Sequence, residues 1–310
     1  MKRRIRRRRR FYAGEVNHVY QRSRDGFNIF YDVIDYLVYF TVFSVSAKKY
    51  DVMVMGLCLM VDHIHMLLRT ENRITLSEFV RQVTSVFVME YNSSICRKGP
   101  LFTHRFGSAP KIGDKKIRTS IAYHYNNPVE KGLCQMVQDY RWAFLPYKNS
   151  SRPYVDRAHP FDGSRKLKKA MSEVYACYTL NRHLKYSQLW RLMRGMQSHE
   201  QERLSDYIIS LYGPIDYEET IRYYGSYEAM LTALNSNTGA EYDIKEKYSS
   251  FPDTYYEHLR NFVRQKMPEM PVRNVIVLPA SEKFRLFEQM RGLAPTSMIT
   301  KFLHLKTCSK

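Results

Sequence analysis

The chain has 310 residues, 44% of them hydrophobic, and a formal net charge of +19. That length suffices for two domains with real cores, and so large a positive charge calls for a polyanionic partner, since alone it only repels itself. The five cysteines (Cys58, Cys96, Cys134, Cys177, Cys308) are scattered without a C-x-x-C pair, which argues against a disulfide frame or zinc ribbon and for a reducing compartment.

The first residues are the most basic. Eight of the nine residues Lys2–Arg10 are Lys or Arg, too dense a run to fold, and readable as a flexible arm on nucleic acid or as a solvated tail. Beyond it the sequence is polar rather than an apolar h-region, so no secretory signal is expected. Asp51, Asp62 and His63 interrupt the most apolar stretch before it reaches the roughly 18 residues of a membrane span, so no membrane partner is expected. Residues 1–150 hold 25 basic against 12 acidic residues, which places +13 of the net charge in the first half and +6 in the second.

Residues 11–150 read as one α+β domain: strand, helix, two central strands, helix, a basic loop, a last helix. The run Asp62-His63-Ile64-His65-Met66-Leu67-Leu68 closes a mostly apolar stretch from Val52, and the strand pair it belongs to turns near Met60-Val61-Asp62. On a strand, alternation puts His63 and His65 on one face and Ile64 on the other. Two imidazoles so placed can share a metal ion; they can equally be two unrelated histidines on a half-buried strand. Residues 114–127 lack Pro and Gly and are predicted helical, with Pro128 helping to stop them. Tyr123 and Asn127, four apart, share a helix face, while Tyr125 is rotated about 200° from Tyr123.

The segment Lys148–Pro153, with Pro160 and Gly163 beyond, is predicted as a linker. Residues 165–310 read as mainly helical. Leu167–Arg194 forms one or two amphipathic helices with Ala176, Leu180, Leu184, Leu189, Leu192 and Met193 as core candidates. Ser205–Tyr212, Tyr217–Tyr224, Ser226–Leu234 and Asp253–Gln265 are further helical pieces. Ser281–Arg291 and Pro295–Leu305 resemble a helix–turn–helix pair, Gly292 at the break and Thr296 as N-cap, or simply a packing hairpin.

Together these features resemble the single-tyrosine HUH transposases, most closely the branch associated with repetitive extragenic palindromes. Asn17-His18-Val19-Tyr20-Gln21-Arg22 is similar to that family's opening strand, with a helix from about Asp32 to Lys48 after it and another near Leu76–Tyr91 after the H-x-H strand. Gly99-Pro100-Leu101-Phe102-Thr103-His104-Arg105-Phe106 resembles its G-x-L-F-x-x-R-F loop, Tyr123 through Leu133 its Y-I-x-x-N-P-V-x-x-G-L helix end, and Tyr140-Arg141-Trp142 its closing Y-x-W. The chain departs from that pattern at His124, Asn126 and Ala143-Phe144.

The resemblance, over about residues 11–150, implies a ferredoxin-like antiparallel sheet with helices on one face. The organisation it suggests is a basic arm at 1–10, the nuclease domain at 11–150 and a helical C-terminal domain at 165–310. It implies Tyr123 as nucleophile, His63, His65 and Asn127 as ligands of Mg²⁺ or Mn²⁺, and Arg22, Arg105, Lys111, Lys115, Lys116 and Arg118 as DNA contacts. The implied reaction is single-stranded DNA cleavage and strand transfer through a 5′-phosphotyrosine, on hairpin-bearing DNA in a bacterial cytoplasm. The chain would act alone or as a homodimer. Two other functions fit the residues: a non-catalytic nucleic-acid binder, or a replication initiator or relaxase of the same chemistry. The ordered match and the lack of a G-x-x-x-x-G-K-[ST] motif weigh against the latter.

Overall fold

A computed structural model describes residues 10–103, 106–154, 163–236 and 251–305. Among these, β1 (Val16–Arg22) leads to α1 (Val33–Tyr50), β2 (Met53–Leu59), β3 (His63–Arg69), α2 (Arg73–Ser94), β4 (Gly107–Lys111) and α3 (Asp114–Glu130). Strand order is β2-β3-β1-β4 and every pairing is antiparallel, the split βαβ arrangement of the ferredoxin-like fold. The expected turn between β2 and β3 falls at 60–62. Against the bounds the resemblance implies, α1 runs on to Tyr50 and α2 extends three residues at each end. Asn72 caps α2 by accepting from the Thr75 amide at 2.8 Å, and Asp51 ends α1 in the left-handed region at φ 50°.

The helices do not all lie on one face. Val19, Ile64, Met66 and Leu68 enter a core with α1 and α2, whereas Val16, Leu67 and Met55 pack with Ile117, Ile121 and Tyr125 of α3 on the opposite face. The reason is α3's own pattern: its residues from Ser120 to Pro128 are all buried, so it needs cover on more than one side. It also runs through Pro128 to Glu130; so close to the helix end the missing amide removes one hydrogen bond without breaking the turn.

The remaining helices are α4 (Arg165–Thr179), α5 (Tyr186–Met193), α6 (Ser198–Tyr212), α7 (Tyr217–Ile221), α8 (Tyr227–Ser236), α9 (Tyr255–Lys266), α10 (Ala280–Met290) and α11 (Thr296–Phe302). Leu184, Leu189, Leu204, Leu259, Ile276 and Phe302 share the α1–α2 core, while Met230 and Leu234 of α8 cover α3. Two expected core residues are corrected: Ala176 is exposed and Leu180 is 60% exposed. α4 buries Leu167, Ala170 and Val174 instead; Ala176 points roughly 150° away from that stripe, and Leu180 is the C-cap just past the helix. Thr296 is the first residue of α11, not its cap; Pro295 holds that place. After a 3-10 turn at Leu145–Lys148, the stretch read as a linker is tied to α6: Asp206 accepts from the Tyr147 hydroxyl at 2.7 Å and the Tyr154 amide at 3.2 Å. Residues 214–216 protect the open edge of β2, the Asp216 amide donating to the Val54 carbonyl at 2.8 Å. No helix of the described residues is long and apolar enough to cross a membrane.

Candidate active site

His63 opens β3 and His65 follows, so both rings leave the sheet on the α3 face. The register sets Tyr20 opposite His65 and Arg22 opposite His63. It also carries His18 diagonally onto His65, the rings stacked at 5.1 Å and 16°, with His18 Nε2 3.0 Å from His65 Nδ1. On the other side, His63 Nδ1 meets the Asp62 carboxylate at 2.6 Å. That bond fixes the tautomer and leaves His63 Nε2 buried without a hydrogen-bond partner.

α3 brings the other two residues. The Tyr123 ring meets His65 edge-on at 5.3 Å and His18 at 5.6 Å. One turn later, the Asn127 amide nitrogen lies 3.1 Å from His65 Nε2, while Asn127 Oδ1 is buried and unpartnered. Gly56 makes room for the His124 ring of α3, since a Cβ there would stand 2.9 Å from His124 Nε2; any side chain would have to displace that buried ring. The departures at His124 and Asn126 have a place in this packing. His124 fills the space over Gly56, and the Asn126 amide donates to the Leu234 carbonyl of α8 at 3.1 Å.

Burial, reinforced by His63 and His18, holds His65 well below the ordinary histidine range. Burial, then Lys111 and His124, lowers His18 to about 3. Both are neutral imidazoles at physiological pH, the form that binds metals. For Asp62 burial works upward, but the His63 ring and the Lys301 and Arg22 charges prevail and keep it a carboxylate.

The four residues expected at the reaction centre therefore meet at one point. The expected DNA contacts spread around it: Arg22 at the His63 end of β1, Lys111 opposite Val16 at the far end, and Lys115, Lys116 and Arg118 exposed on the first turns of α3. Lys115 and Lys116 oppose the dipole of their own helix, so they do nothing for its stability. Arg105 lies outside the described residues, as does the arm apart from Arg10. Three further contributors had no role assigned from the sequence, although His18 and Asp62 stand inside its motifs. Asp62 orients His63, His18 orients His65, and the buried Asp253 from the far half of the chain stands beside Asp62 and His63. Burial and the Asp62 charge raise its carboxyl to about 6. Asp62 carried a signal by adjacency to His63 and His18 by its place in the opening strand; Asp253 carried none.

The donor set fits a divalent cation. Asn127 Oδ1 and His63 Nε2 are buried acceptors without partners, a state that costs about 1–3 kcal/mol per group if nothing satisfies it. His65 Nε2 lies beside them, and both imidazoles are braced from behind by a carboxylate or a second ring, as metal-binding histidines usually are. No group of three His, Cys, Asp or Glu among the described residues is placed to hold a metal, so the set depends on the amide. His18→Ala is expected to weaken Mn²⁺ binding about 10–100-fold, read by titration of protein whose circular dichroism matches the wild type; unchanged affinity would mean that His18 does not brace the site.

Residues 18–126 match the family model described as Transposase IS200 like, a span that includes His18, His63, His65 and Tyr123. Among solved structures the chain is similar to one described as the REP-associated tyrosine transposase bound to a REP hairpin. The identity is 16% and the TM-score 0.41, over 52% of this chain and 95% of that one. No curated protein matches the chain. Over residues 18–126, the chain is thus similar to the IS200-like transposase family.

Proposed function

We propose that the chain is a metal-dependent single-stranded DNA endonuclease and strand transferase, with Tyr123 as the nucleophile. The observation that carries this reading is the clustering of His63 and Asn127, each with a buried unpartnered acceptor, around His65: the His63 ring centroid lies 4.9 Å away, the Asn127 amide nitrogen 3.1 Å from Nε2, and Tyr123 packs on the same ring. In the reaction, the Tyr123 oxygen bonds to the scissile phosphorus and the P–O3′ bond breaks. The phenolic proton is lost and the leaving 3′ oxygen takes one up, which yields a 5′-phosphotyrosine and a free 3′-hydroxyl. Attack by that hydroxyl, or by one from another strand, reverses the step, so bond energy is conserved and no nucleotide cofactor is needed.

A phenol of ordinary pKa about 10 is a poor nucleophile at neutral pH. A divalent cation on His63, His65 and Asn127 would supply charge against the phosphate oxygens. Two imidazoles suit Mn²⁺ better than Mg²⁺, which prefers oxygen. The chain's own residues do the rest. Asp62 and His18 hold the two rings, α3 holds the phenol one turn from the amide, and Gly56 makes room for the His124 ring. The positive charge of the first half and the cations on both sides of the site support a DNA substrate whose paired stem is gripped by its phosphates while a single-stranded flank reaches Tyr123.

His63→Ala and His65→Ala are each expected to slow cleavage by roughly 100-fold or more, because several kcal/mol of charge stabilisation disappear. Asn127→Ala is expected to lose less, since water can replace an amide oxygen. EDTA should stop the wild type and added Mn²⁺ restore it; full activity in EDTA would remove the metal from the mechanism.

A further inference from the structure

Beyond the end of β1 the chain builds a second cleft, of about 220 Å³, which the reaction centre does not use. Its walls include Arg24, Asn28, Arg97, Lys98 and, from the C-terminal segment, His304. Three of these are cations, and Asp25 is the one acidic residue in the wall. Arg97 is held by neutral acceptors alone: the Asn92 side chain at 2.8 Å and the Gly99 and Pro100 carbonyls at 3.0 Å each. Its positive charge is therefore fixed in direction and not cancelled. No carboxylate among the described residues pairs with Arg97 or Lys98. Burial, and then the nearby Arg24 charge, lower the Arg97 pKa; like charges have been set together here.

Asn28 marks the floor. It is 1% exposed, and neither its amide nitrogen nor its amide oxygen has a hydrogen-bond partner. Its backbone, by contrast, is secured: the amide donates to the Lys301 carbonyl and the carbonyl accepts from His304 Nε2 at 2.8 Å. His304 in turn stacks on Phe27 at 4.5 Å. Arg24 pairs with Asp25 at 3.8 Å, which leaves Arg97 and Lys98 as the uncancelled cations; a buried donor beside them is the chemistry of an oxyanion seat. The volume falls below the roughly 300–1,000 Å³ of pockets that enclose whole small molecules, which suits a phosphate group rather than a nucleoside.

The chain leads directly from the reaction centre to this cleft. Arg22 pairs with His63, the Ser23 amide donates to the Asp62 carbonyl at 2.8 Å, and the Arg24 amide donates to the Leu101 carbonyl at 2.7 Å. We infer that this cleft seats one backbone phosphate of the DNA strand next to the linkage attacked by Tyr123, with Asn28 donating to it and Arg24, Arg97 and Lys98 around it. The inference rests on the nuclease reading above and gives the C-terminal half a part in DNA binding, since His304 forms one wall.

The test uses full-length protein and a single-stranded oligonucleotide from the flanks of its own gene. A series of such strands carries one neutral methylphosphonate linkage at each position in turn. For the wild type, one linkage near the cleavage point should lower affinity when neutralised. With Arg24→Ala/Lys98→Ala, that linkage should no longer matter, and the slope of log affinity against log salt should fall by about 0.7 for each phosphate left without its cation. Asn28→Ala should weaken binding through the same linkage without lowering the melting temperature, because the amide it removes has no protein partner. Loss of affinity spread evenly over all linkages in the double variant, or an unchanged salt slope, would overturn the inference. So would inorganic phosphate that binds the cleft in calorimetry yet fails to compete with the strand. Adduct formation by the wild type is read in the same samples, so failure of the nuclease reading shows as a missing adduct, whereas failure of the phosphate seat shows only in binding.

Discussion

Tyr123→Phe is expected to abolish cleavage and covalent adduct formation while fold, metal binding and DNA affinity persist. The change deletes one oxygen and leaves the ring that packs against His18 and His65. Loss of a covalent nucleophile should cost roughly 10⁴-fold or more, and with no replacement nucleophile the residual rate should be at background. Tyr125→Phe provides the contrast. That side chain lies in the other cluster, with Ile121, Cys58 and Leu67, and its buried hydroxyl has no partner. Removing an unsatisfied hydroxyl should leave activity intact and stability equal or raised by about 1 kcal/mol. An active Tyr123 variant with an inactive Tyr125 variant would mean that the helix presents the other phenol.

The second large effect concerns stability. Arg273, 3% exposed, forms an ion pair with Asp35 at the start of α1 and stacks between Tyr186 and Tyr91 at 3.8 and 5.1 Å. Asp35 also accepts from the Tyr31 and Asp32 amides at 2.8 and 3.0 Å. This one side chain therefore ties the segment after α9 to the first helix of the ferredoxin-like fold. Arg273→Met should destabilise the protein by about 3–5 kcal/mol, because it leaves a buried carboxylate without its partner. The melting temperature should fall by on the order of 10 °C. Adding Asp35→Leu should recover much of that loss, since the penalty belongs to the unpaired charge and the two changes are not additive. A single variant that melts like the wild type would show that the pair stabilises little.

How much of this was legible beforehand follows from the range of each signal. Alternation over His63-Ile64-His65 and the four-residue spacing of Tyr123 and Asn127 are local, and each places its side chains correctly. Pairing is not local. Nothing near His18 announces that a stretch 47 residues later will lay His65 against it; only the β1–β3 register does so. Asp253, Arg273 and His304 are likewise ordinary residues of a helical half until the fold sets them beside Asp62, Asp35 and Asn28. Ala176 shows the reverse error. Apolar residues on an amphipathic helix identify a stripe only when the partner's position is known, and α6 and the core lie on the Leu167–Val174 side of α4. The polar residues His124 and Asn126, anomalous within the motif, make sense once α8 and Gly56 are in place.

The measurement that bears most directly on the central claim is adduct mapping. Full-length protein is incubated with labelled single-stranded DNA from the flanks of its own gene and Mn²⁺, run on a denaturing gel, digested, and the DNA-bearing peptide identified by mass spectrometry. The expected result is an adduct that forms with Mn²⁺, disappears in EDTA and carries the 5′-phosphate on Tyr123. DNA bound with high affinity but never covalently, or a 5′-phosphate on any other residue, would contradict it.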